Sequence, residues 1–191
     1  MSKKAVLIPH PCDMTLKKYR IDYEKRLDML AVMYHRYKGE LLIPSMLSWG
    51  LKCPTTLFGL VAGNIPVGLF DFTSPYMDWS RYFYVLAHCS IGLDYISGYH
   101  CMGRFEMETS CLSIPTVCTN NIYMGVKLFP QVTHDPTDFE GIRGSLQKLI
   151  DDEEFYHSVA EYAYEQVENY NWENSRKRLL TALQEAGFRI G

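Results

Sequence analysis

Gly103 is followed by Arg104, Glu106 and Glu108, and Ser113-Ile114-Pro115 then leads into the β-branched run Thr116-Val117. A guanidinium beside two carboxylates, after a glycine and at the start of a short helical stretch, suits a polar ligand. Free N–H groups at a helix start receive phosphate, a guanidinium grips it through paired hydrogen bonds, and a nearby carboxylate holds sugar hydroxyls. Glu106 and Glu108 are two apart, so on a helix they point in different directions and do not act as one acid–base pair. The same side chains also make an ordinary Arg–Glu pair on a helix surface.

His100 ends the loop Ser97-Gly98-Tyr99-His100 just before this helix, where an imidazole could donate to a sugar oxygen or a phosphate. His10, between Pro9 and Pro11, is the second candidate among the histidines. Asp135 and Asp138 straddle Pro136-Thr137 and read as a turn followed by a helix cap. No His/Cys/Asp/Glu set has ligand spacing, and the six cysteines contain no C-x-x-C pair, so neither a metal nor a cofactor is expected. His-Pro-Cys-Asp stands after the first apolar run in place of a G-x-G-x-x-G loop, which argues against a dinucleotide-dependent dehydrogenase.

The elements that must position these residues follow from apolar periodicity. Short apolar runs predict strands at Ala5–Ile8, Leu41–Pro44, Pro66–Phe70, Ser90–Ile96, Thr116–Thr119 and Val126–Phe129. Leu16, Tyr19, Tyr23, Leu27, Leu30, Met33 and Tyr37 recur at helical intervals and predict a helix over 16–38, capped by Asp13 or Thr15 and stopped by Gly39. Further helices are expected from Asp78 to Ala87, from Phe105 to Leu112, and over 137–151, 152–168 and 172–187. Residues 45–65 give no clear pattern.

Alternating strands and helices imply right-handed crossovers. The expected fold is α/β: a single Rossmann-like domain over residues 1–191, its parallel sheet covered by helices, with a helical C-terminal segment from about residue 137. Ligands of such sheets bind beyond the carboxyl ends of the strands. The candidate rim is therefore His10–Asp13, Phe70–Ser74, Asp94–Glu108 and Thr119–Gly125, and it includes Thr119 and Asn120.

A net charge of −3 without a basic block argues against nucleic acid as a partner. The N-terminus is too poor in apolar residues for a signal peptide, and no 18-residue apolar span follows. Several cysteines sit in apolar runs, as buried free thiols do, so a reducing, cytoplasmic setting is expected.

From about Val67 to Leu183 the chain resembles the C-terminal, donor-binding half of GT-B glycosyltransferases of the retaining family 4 type. Glu108 matches the second glutamate of that family's two-glutamate motif, and Ser113-Ile114-Pro115-Thr116-Val117 is similar to its Gly-x-Pro-Val turn. Pro66 to Phe70, then Tyr76-Met77-Asp78-Trp79 and Tyr82 to Ala87, look like its strand, its proximal helix and the strand that follows. Asn171-Trp172-Glu173 with Arg178-Leu179-Leu180 is similar to its closing Ser-Trp and helix. His100 stands where the first glutamate would be, so the resemblance passes the catalytic role to His100 or Glu106, or leaves it vacant. Arg104, Glu108, Gly103, Thr119 and Asn120 become the donor-binding residues, with Lys17 or Lys18 as alternatives to Arg104 for phosphate.

The resemblance implies a transferase that binds a UDP- or GDP-sugar donor and passes the sugar to a glycan or small-molecule acceptor. Complete GT-B enzymes have two Rossmann-like domains. The implied protein is thus a fragment, a subunit completed by a partner or a second copy, or a degenerate relative. A non-catalytic Rossmann-like module binding a nucleotide or a protein is the alternative.

Overall fold

The structure, a computed structural model, describes residues 8–33, 41–58, 68–73 and 77–188. Among the described residues six parallel strands form one sheet: β1 Leu27–Met33, β2 Thr55–Phe58, β3 Phe72–Thr73, β4 Cys89–Asp94, β5 Thr116–Thr119 and β6 Thr133–His134. Their order is β3-β2-β1-β4-β5-β6, the order of the doubly wound dinucleotide fold. The helices are α1 Leu42–Ser48, α2 Trp79–Ala87, α3 Arg104–Cys111, α4 Tyr123–Leu128, α5 Phe139–Asp151, α6 Glu153–Gln166 and α7 Trp172–Glu185.

Connections run outward from the middle of this sheet in both directions. α1 joins β1 to β2 and α3 joins β4 to β5, so right-handed crossovers place them on opposite faces. Side chains along β1 follow that division. Leu30 and Val32 pack in a cluster with Leu47 of α1, while Ala31 joins Phe83 of α2 and Phe105 of α3. Every residue of β4 and β5 is buried, as expected of central parallel strands covered on both faces.

The second half follows the sequence expectation closely except over Val126–Phe129. Asp78 caps α2 by accepting from the Arg81 N–H, Asp138 caps α5, Asp152 caps α6 and Asn171 caps α7. Ser113, φ 60°, closes α3 in the left-handed region. The Ile114 N–H returns to Thr109 O and the Ser113 N–H to Ser110 O, the pairing of a Schellman turn.

The first half differs. Within the expected helix 16–38, residues Met14–Tyr19 and Tyr23–Lys25 are short 3-10 turns and Leu27–Met33 is the central strand β1. Turns of period three followed by a strand buried on both faces imitate a helical stripe. Asp13 does cap, but it caps the first 3-10 turn through the Thr15 N–H. The expected strand Leu41–Pro44 is the start of α1, with Pro44 in its first turn, where its missing N–H costs nothing. In the second half, Val126–Phe129 is not a strand: α4 covers Tyr123–Leu128, with the Gly125 backbone close against Cys118 of β5. Residues 68–70 form a turn, and β3 follows at Phe72. The expected strand at Ala5–Ile8 lies outside the described residues except for Ile8, which is not in a strand, and Gly39, Pro66, Val67 and Tyr76 lie outside them too.

Candidate functional site

Two loops leave the carboxyl ends of neighbouring strands: residues 95–103 after β4 and residues 120–122 after β5. They are laced together. Thr119 Oγ1 donates to Ile96 O at 2.8 Å and accepts from the Ile96 N–H at 3.1 Å. The Asn121 amide donates to Ile96 O and Ser97 O. The Cys101 N–H meets Asn121 O, the Tyr123 N–H meets Cys101 O, and the Met124 N–H meets Met102 O, each near 3 Å. Backbone pairing of this density fixes the two loops relative to each other.

Between them lies a cavity of about 460 Å³ lined by His100, Cys101, Met102, Asn120, Asn121, Tyr123, Val126 and Lys127. This size is in the range of small-ligand clefts. Its wall combines one imidazole, one ammonium and two carboxamides with an aromatic ring. Lys127 stands over the Tyr123 ring, 5.7 Å from its centroid, one helical turn apart on α4.

His100 and Asn120 therefore line one cavity, as two of the expected site residues. Thr119 is buried and its hydroxyl serves the loop pairing. Gly103 adopts φ 85°, a left-handed conformation that a side chain disfavours, and turns the chain from the cavity wall into α3. A Cβ there would stand 2.5 Å from Ile122 Cγ2 and 2.6 Å from Glu106 Oε2. Glu106 has no exposed surface and lies beneath this turn.

Arg104 and Glu108 form a separate cluster with α2. Arg104 Nε donates to Glu108 Oε1 at 2.8 Å, the Tyr82 hydroxyl donates to Glu108 Oε2 at 2.8 Å, and the guanidinium stacks 4.4 Å from the Trp79 ring centroid. Burial raises the Glu108 carboxyl above its ordinary value, while Tyr82 and Arg104 pull it down. Tyr82 is held well above the usual phenol range by burial and by the neighbouring carboxylate.

His10 is not among the residues lining the cavity. Its neighbour Cys12 packs against Met107 and Cys111 of α3, and the Cys12 N–H donates to Tyr170 O. Lys17 pairs with Glu168 and is not among the residues lining the cavity. Val126 and Lys127 lie beyond the rim expected from sequence, because a strand was expected there. The Tyr123/Lys127 spacing of four is the signal that marks a helix instead. Among the described residues no group of three or more His, Cys, Asp or Glu side chains is placed to hold a metal, and no helix is long and apolar enough to cross a membrane.

No protein-family model matches the chain, and no curated protein matches its sequence. Solved structures do. Sucrose-phosphate synthase from Thermosynechococcus elongatus is 15% identical with a TM-score of 0.67, over 97% of this chain and 53% of that one. An α,α-trehalose-phosphate synthase (UDP-forming) from Burkholderia vietnamiensis is 9% identical with a TM-score of 0.72, over 93% and 53%. Anabaena HepE, in complex with UDP-glucose, is 13% identical with a TM-score of 0.66, over 91% and 55%. The chain spans about half the length of these structures. At such identities the likeness is one of fold: an α/β Rossmann-like domain with a helix-covered parallel sheet, matching one half of the GT-B architecture.

Proposed function

We propose that the chain is the donor-binding module of a GT-B glycosyltransferase of the retaining, family 4 type. It holds the nucleoside diphosphate of a UDP- or GDP-sugar in the cavity between the loops after β4 and β5. The observation that carries this reading is the cavity's place, at the carboxyl ends of adjacent parallel strands where this fold binds ligands. Lys127 and His100 supply cationic or donating groups for the diphosphate, Asn120 and Asn121 hydrogen-bond the sugar or base, and Tyr123 offers a face for stacking.

Arg104 and Glu108 join the site by exchanging their mutual bond for ligand contacts, with Glu108 turning to ribose hydroxyls and Arg104 to phosphate. Glu106 is sealed under the Gly103 turn, so His100 is the better placed of the two proposed catalytic groups to touch a donor sugar. Transfer to a glycan or small-molecule acceptor calls for a second surface, supplied by the other half of the protein, a partner subunit or a second copy. A cytoplasmic setting agrees with six free thiols.

Calorimetric titration with UDP, GDP and their glucose conjugates tests the reading. Binding by one of them, weakened at least tenfold by Lys127→Ala together with Asn120→Ala, is expected. Absence of heat with every nucleotide at millimolar concentration would remove the donor role.

A further inference from the structure

Cys12 and Cys111 are 99 residues apart in sequence, yet their sulfur atoms lie 3.5 Å from each other. Both are free thiols and both are buried. We infer that this pair is a reversible redox latch, which under oxidising conditions becomes a disulfide fastening the segment before β1 to α3.

A disulfide needs sulfurs about 2.0 Å apart, so the two must close by about 1.5 Å. The movement falls on Cys12. Cys111 is the last residue of α3 and is fixed by the helix, whereas Cys12 sits in an irregular stretch held to Tyr170 O by its N–H. The Cys111 thiol is pushed well up by its hydrogen bond with Cys12 and by burial, partly offset by the Lys17 ammonium. Because the movement falls on Cys12, the first attack is assigned to it.

With a hydroperoxide as oxidant, the Cys12 thiolate attacks one peroxide oxygen and the O–O bond breaks. Cys12 becomes a sulfenic acid, and the departing oxygen leaves as water after taking a proton. Cys111 sulfur then attacks Cys12 sulfur, the S–O bond breaks, and the leaving hydroxide takes the Cys111 proton to form the second water. Two thiols and one hydrogen peroxide give one disulfide and two waters. α3 also carries Arg104 and Glu108, so the latch closes on the helix that begins at the cavity wall.

The reduced chain is treated with equimolar hydrogen peroxide at neutral pH without denaturant, then alkylated and mapped by mass spectrometry. The expected result is a loss of two hydrogens, a linked peptide pair containing Cys12 and Cys111, reversal by dithiothreitol, and a higher melting temperature. The rise follows because a bond across this separation restricts the unfolded chain. Cys111→Ser should give neither the link nor the rise. Both thiols alkylated after oxidation, a link to another cysteine, a link formed only in urea, or an unchanged melting temperature would each overturn the inference. The peptide map uses the unaltered chain, so it stands even where the variant does not fold.

Discussion

Replacing Gly103 by alanine probes the joint between the cavity wall and α3. Two costs add. A side chain in the left-handed region costs about 1–2 kcal/mol, and Gly103 sits at φ 85°. The new Cβ would also stand 2.5 Å from Ile122 Cγ2, 2.6 Å from Glu106 Oε2 and 3.1 Å from Met124 Cβ. Relieving such overpacking costs about 1–3 kcal/mol. Together they make roughly 2–5 kcal/mol, a large share of the 5–15 kcal/mol of a typical domain. With a urea m-value near 2 kcal/mol/M the unfolding midpoint should fall by about 1–2.5 M. Gly187→Ala separates the two terms, since Gly187 has φ +87° but nothing within 4 Å of an added Cβ. It should cost only the conformational part. Urea titration followed by far-UV circular dichroism measures both variants. Equal midpoints for the two would refute the crowding beneath the Gly103 turn.

Three further outcomes are expected. Arg26 donates to Leu112 O at 2.5 Å, Ser113 O at 2.8 Å and the Tyr156 hydroxyl at 2.7 Å, closing the end of α3; Arg26→Ala leaves these buried acceptors bare and should cost about 1–3 kcal/mol in urea unfolding, and a loss well below about 1 kcal/mol would sever α3 from this anchor. The Glu108 carboxyl binds its proton more tightly folded than unfolded, so its contribution to stability is full below the unfolded value of about 4.3 and is lost as pH rises through the raised folded one; Glu108→Gln should flatten that part of the midpoint–pH curve, and an identical slope would show the carboxyl unperturbed. The chain alone should bind donor but transfer sugar slowly or not at all, because efficient transfer needs a second wall to exclude water and hold the acceptor; rapid turnover by monomer in a radiolabelled-donor assay would contradict this.

The helix-covered parallel sheet and the helices of the second half were legible in the sequence, whereas the course of the chain through the first half was not. The loops after β4 and β5 were legible because Gly98, Gly103, Asn120 and Asn121 punctuate two short apolar runs, and those runs are β4 and β5. The caps at Asp78, Asp138 and Asn171 likewise marked real helix starts. β1 was hidden because Leu30, Ala31 and Val32 are all buried, so the alternation that betrays a strand is absent. The pairing of Arg104 with Glu108 was readable from a spacing of four on one helix. The third member, Tyr82, was not, because it comes from α2 and meets Glu108 only through tertiary packing. Cys12 and Cys111 were equally invisible as a pair, since nothing local joins residues so far apart in the chain.

Chemical-shift mapping of the isotope-labelled chain against UDP and GDP decides whether the cavity holds a nucleotide. A donor seated between the loops after β4 and β5 should shift the amides of Cys101, Met102, Asn121 and Tyr123 in a saturable way, together with the Lys127 side chain. Those amides unmoved at saturating nucleotide, or shifts gathered on α1 and α5 instead, would contradict the account.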